Sequence, residues 1–201
     1  MDTIMEVLHE SINFFYVNIF LNSIGITLVP SVAVHPVSEA LFNFVNAWSM
    51  MMLPAFLVDR KSENMESKIP LWIGTMFLTN VFCIPYMALR EQQEPSPREL
   101  PPLRLPSWSP VMGAVSVAVG AGSLFWGAAA RPEYGDMAAR LSYLHDHVFG
   151  DRVFFAFVVD SFLYSVWQTW LMEDAPAKYR FVPFFGMAAW LLSGWKQEET
   201  A

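Results

Sequence analysis

Charge is scarce in this chain: 15% of its 201 residues are Asp, Glu, Lys or Arg, against about 25% in ordinary soluble domains. Basic clusters are scarcer still. The formal net charge is −7 and no basic run exceeds two residues, so a nucleic-acid-binding face is disfavoured. There is one cysteine, Cys83, which rules out an internal disulfide and a cysteine-based metal site. The start, MDTIMEVLHE, lacks the basic region of a signal peptide and the Arg/Ser-rich, acid-poor character of a transit peptide. Histidine is absent from the middle of every apolar run. The four are His9, His35, His145 and His147, so no imidazole stands where a helix-clamped haem or pigment would need one. Catalytic signatures are missing too: no His-Glu-x-x-His, Gly-x-Ser-x-Gly, glycine-rich phosphate loop or paired-glutamate bundle motif is found. No cofactor and no metal is implied.

What the chain has is apolar length. Hydrophobic residues make up 54%, aromatic residues 15%, and the charges collect in 59–68, 90–104, 131–152 and 173–180. Six candidate spans lie around them, at about 11–30, 39–58, 69–89, 110–130, 152–172 and 180–195. Most are near the 20 residues needed to cross a hydrocarbon core of about 30 Å; the sixth is short enough to be re-entrant or tilted. They lack the alternation of lipid-facing strands. Tryptophans 72, 108, 126, 170 and 195 fall near the span ends, as an aromatic belt does. The expected fold is therefore an all-α integral membrane protein, a single domain over 1–201 with five to six transmembrane helices. Residues 90–109 form a loop that, with six prolines in residues 91–110, runs extended, and 131–151 form an interfacial segment. Orientation is weakly specified: with six crossings, seven Lys/Arg fall on one side and five on the other.

The span at 110–130 is built of small residues. Ala114, Ala118 and Gly122 recur every fourth position, with Ser116 and Gly120 on an adjacent stripe; such stripes let helix backbones approach closely. This helix is expected to be gripped by a neighbour or by a protein partner.

Asp160 sits about halfway along the fifth span, with Tyr164 and Gln168 four and eight residues on. A carboxylate at that depth is costly, so it must be protonated, paired or wet, and the stripe is expected to face the interior. Candidate partners are Asn43 and Asn46, Asn80, and Asn18 with Asn22. Two readings stay open: an interhelical bond that fixes register, or a proton or ligand site. Cys83 reads as a buried small hydrophobe and Met50, Met51 and Met52 as adaptable core filling. His145-Asp146-His147 reads as a solvated interfacial cluster, since positions 145 and 147 of a helix point apart.

"FLTNVFCIPYMALRE" and "FVVDSFLYSVWQTWLMEDAPAKYRFVPFFGMAAWLL" resemble an uncharacterised multi-pass membrane family of cyanobacteria and chloroplasts. The likeness rests on Asn80, Pro85, Asp160 and the turn at 181–186, and covers about a quarter of the chain. It implies a thylakoid or envelope location and no reaction. The leading functional expectation is a non-catalytic membrane scaffold, assembly or accessory subunit whose partners are membrane lipid, a protein at 110–130 and a lipid or pigment. The alternatives are a small proton-coupled transporter using Asp160, and a membrane enzyme acting on an isoprenoid or sterol-like lipid with Asp160 or Glu39 as general acid.

Overall fold

Local chemistry sets the start of three helices. In the computed structural model, which describes residues 14–27, 34–93 and 104–194, α1 spans Tyr16–Ser23 and α2 Pro36–Val58. Proline at the first position and Glu39 in the first turn of α2 suit a helix start. Then come α3 (Lys68–Leu78), α4 (Asn80–Glu91), α5 (Ser109–Ala129), α6 (Met137–Gly150), α7 (Arg152–Leu171), α8 (Ala177–Arg180) and α9 (Phe185–Leu192). Asp136 caps α6 by accepting from the Ala139 amide at 3.0 Å. Asp151 does the same for α7, accepting from Val153 and Phe154 at 2.8 and 3.0 Å. No strand occurs among the described residues. The chain is all-helical.

Two of these helices, α2 and α5, are long and apolar enough to cross a membrane. The stretch 152–172 folds as the 20-residue α7, which is less apolar because Asp160 and Gln168 interrupt it. The expected single span at 69–89 is corrected: it is two helices of 11 and 12 residues that fold back on each other at Thr79. Thr79 takes φ 44° and ψ −119°, a region that costs a β-branched residue energy. The reversal needs Gly74, where an added Cβ would lie 2.4 Å from the Phe82 ring. The stretch 180–195 is likewise no full crossing, since the eight residues of α9 rise only about 12 Å. Of the first span only Phe14 and the eight residues of α1 are helical among those described, and most of the loop at 90–109 lies outside them.

The described residues divide into two compact units. The first contains residues up to 45 together with 119–159. Its core is an aromatic cluster in which Phe42 packs at 5.5 Å from Phe14 and 5.2 Å from Phe157. Buried Arg140 closes the end of α5 by donating to the carbonyls of Gly127, Ala130 and Arg131 at 2.9, 2.5 and 3.0 Å. Gly127 is in the last turn of α5, where carbonyls have no partner within the helix, and the other two follow its end. The second unit contains 46–118 and 160–201, and holds the α3–α4 hairpin, the second half of α7, and α8 with α9. Fully buried Trp48, Phe56, Tyr86, Tyr164, Phe184 and Trp190 form its core.

Candidate functional site: a polar knot at Asp160

Asp160 is buried, and both carboxylate oxygens are occupied by the hairpin's apex. Thr79 Oγ1 donates to Oδ2 at 2.5 Å and Asn80 Nδ2 donates to Oδ1 at 2.7 Å. Asn80 is fixed in turn by Trp167, whose indole N–H donates to its Oδ1 at 2.8 Å. The chain reversal at Thr79 therefore carries the side chains that answer the mid-helix acid. This is what keeps a threonine at positive φ: the surrounding bonds over-determine it.

The other members of the α7 stripe are answered separately. The hydroxyl of Tyr164 pairs with Ser49 at 2.7 Å. Gln168 serves a second irregular turn: its amide donates to the carbonyls of Val182 and Arg180 at 2.8 and 3.3 Å and its Oε1 accepts from the Phe184 amide at 3.1 Å. Phe184 is also at positive φ, 57°, and Gly186 beside it is required because a Cβ there would lie 1.9 Å from the Tyr179 carbonyl oxygen. So Asp160, Tyr164 and Gln168 do not converge on one ligand-sized site. They hold three different pieces of chain to one helix. Asn46 is buried on α2. Asn43 works in the first unit, donating to the carbonyls of Phe14 and Glu39 at 2.6 and 2.7 Å. Asn22 donates to Asn18, its Oδ1 at 3.2 Å.

The two small-residue stripes of α5 face different ways. Ser116 and Gly120 are buried, whereas Ala114, Ala118 and Gly122 are exposed, and nothing lies within 4 Å of where a Gly122 side chain would begin. Cys83 is buried with its sulfur 3.9 Å from that of Met52.

Comparison with family models, characterised proteins and solved structures finds no match. The functional argument rests on the geometry.

Sequence reasoning missed the largest charge cluster. Arg90, 1% exposed, donates from Nε to Asp59 at 2.8 Å, from Nη1 to Glu91 at 2.5 Å and from Nη2 to the Trp170 carbonyl at 3.2 Å. Tyr86 and Ser62 complete it: the phenol donates to Asp59 Oδ2 at 2.8 Å and pairs with the Ser62 hydroxyl at 2.8 Å. Glu173 lies 3.7 Å from Arg90, and buried Lys68 reaches the Asp59 carbonyl at 3.5 Å. Both ends of the hairpin thus meet at one aspartate. A basic residue after an apolar run was the available signal, but its partner is 31 residues away.

Glu39, fully buried, accepts from Trp126 Nε1 at 2.7 Å and from Arg131 at 2.8 Å. Nearby, His35 stacks on Tyr143 at 3.5 Å, and Tyr143 on His147 at 3.7 Å. Burial, and next the charges of Arg140 and His147, lower the His35 pKa to about 4. Among the described residues no three His, Cys, Asp or Glu side chains are grouped to hold a metal ion.

Proposed function

We propose that the chain is a multi-pass integral membrane protein that acts as a scaffold or accessory subunit, with α2, α5 and α7 as crossings and Asp160 as a residue that fixes the fold. The observation that carries this reading is the pairing of both Asp160 oxygens with Thr79 and Asn80: a carboxylate so engaged organises a chain reversal. Apolar α5 supports the bilayer as the solvent. Only 28% of its most apolar window is buried, and Val111, Leu124 and Phe125 are exposed, a surface too greasy for water. Its outward Ala114, Ala118 and Gly122 give a partner helix room for close approach. The resemblance to the cyanobacterial and chloroplast family extends the proposal to a thylakoid or envelope membrane.

Photo-crosslinking in native membranes tests it. A crosslinker at Ala118 or Gly122 is expected to give a protein adduct of one defined mass, while one at exposed Phe162 on α7 gives lipid adducts. Lipid adducts at every position would remove the scaffold reading.

One observation favours a second reading, a proton-coupled carrier: two half-length helices meeting a carboxylate midway along a third resemble the midplane sites of transporters. Proteoliposomes bearing Asp160→Asn are then expected to lose an uptake that the parent protein shows.

A further inference from the structure

We infer that residues 68–91 are a re-entrant hairpin: they enter one leaflet of the bilayer, turn at Thr79, and leave on the same side, which is the cytoplasmic one. The inference rests on the membrane reading above but not on the scaffold role.

Three independent features lead to it. The first is closure. Lys68 at the start of α3 and Arg90 at the end of α4 both meet Asp59. A segment crossing the membrane would hold these two cations about 30 Å apart. The second is depth. The 11 residues of α3 rise about 16 Å, half a hydrocarbon core. Asp160, which holds the apex, lies eleven residues before Leu171, the end of α7, again about 16 Å in. Glu173, just beyond that end, is part of the Arg90 cluster. Two separate rulers therefore give one depth for the apex. The third is surface chemistry. The outward face of the hairpin presents Ile69, Ile73, Phe77, Val81 and Ile84, all exposed, and the two flanking the turn are among the barest at 59% and 64%. A turn at an aqueous surface would show polar residues there. Acyl chains are the occupant this face fits, because the ions lie at the open end and the grease at the tip.

A hairpin that returns changes the count of crossings, and with it the sidedness of every later loop. With α2, α5 and α7 as crossings, Arg60, Lys61, Lys68, Arg90, Arg104, Lys178 and Arg180 share one side. Arg131, Arg140 and Arg152 are on the other. Counted over the same described residues, the balance of six to four under six crossings becomes seven to three, and the positive-inside rule then assigns the hairpin side to the cytoplasm.

Single-cysteine mapping decides the matter. In a Cys83→Ala background, the exposed positions Glu63, Gln92 and Glu133 are changed one at a time to cysteine, with Glu66→Cys replacing Glu63→Cys should that variant melt early. Sealed vesicles of either orientation are treated with a membrane-impermeant maleimide. Positions 63 and 92 are expected to label from the cytoplasmic face and 133 from the opposite face, each at least tenfold faster than from the other. Labelling of 63 and 92 from opposite faces overturns the hairpin and leaves the membrane reading standing. Labelling of both from the outer face overturns the orientation. Labelling of all three from one face overturns α5 as a crossing and the orientation drawn from it, and extraction of the protein by alkaline carbonate overturns the membrane reading and this inference with it.

Discussion

Replacing Asp160 by alanine strips the acceptor from two buried donors at once. Thr79 and Asn80 are 8% and 4% exposed, so neither finds bulk water. An orphaned buried donor costs about 1–3 kcal/mol, which gives about 2–6 kcal/mol for the pair. Two effects reduce it: the variant no longer buries a carboxylate, and in a membrane the unfolded chain finds other partners, so that measured interhelical bonds average about 0.6 kcal/mol. The net expectation is a loss of about 2–3 kcal/mol. Asparagine gives the contrast. Its carbonyl still accepts from Asn80, and its amide donates to Thr79, whose hydroxyl switches from donor to acceptor; the loss should stay below about 1 kcal/mol. The assay is reversible unfolding in mixed detergent and SDS micelles, followed by far-UV circular dichroism. An alanine variant as stable as the parent would refute the knot as a stabilising element. An asparagine variant as damaged as alanine would show that negative charge, rather than the bonded geometry, is what the site needs.

Arg90→Ala should cost about 3–5 kcal/mol, because Asp59, with its side chain 3% exposed, loses its closest cation; a double change Asp59→Asn with Arg90→Met should recover part of that in thermal melts. Gly186→Ala should cost at least about 2 kcal/mol, since backbone at 1.9 Å cannot yield as a side chain would. Gly74→Ala should also destabilise, but Phe82→Ala in the same chain should restore part of the loss, because it removes the Cγ and Cδ atoms that the new Cβ would meet. Acid should weaken the protein through His35. In the folded state its pKa is about 4 and in the unfolded chain about 6.5. Stability from this residue is complete above pH 6.5, falls as the pH drops from there towards 4, and is constant below. A His35→Gln variant should show a shallower decline between pH 6.5 and 4 in melting temperature.

Several elements were legible from residues near one another. The absence of strand alternation and the apolar length of α5 are both visible within a window of about 20 residues, because hydropathy is a local property. The polar stripe of Asp160, Tyr164 and Gln168 was visible for the same reason. The hairpin was not. Averaged over 69–89, an apolar run that reverses looks the same as one that continues, and Thr79 gives no warning, since glycine rather than threonine signals a positive φ. The outward face of Ala114, Ala118 and Gly122 and the buried face of Ser116 and Gly120 were equally small in sequence; only the packing of α5 separated them.

By itself, then, the sequence determined an all-helical chain of low charge with stretches fit for lipid and an acid in the midst of one. Tertiary structure decided which of those stretches are single helices and which turn back, and which groups answer the acid. The physical reason is distance along the chain. Burying a segment depends on its own residues, whereas Asp160 is answered from 80 and 81 positions away and Arg90 from 31, and no local pattern records a partner so remote.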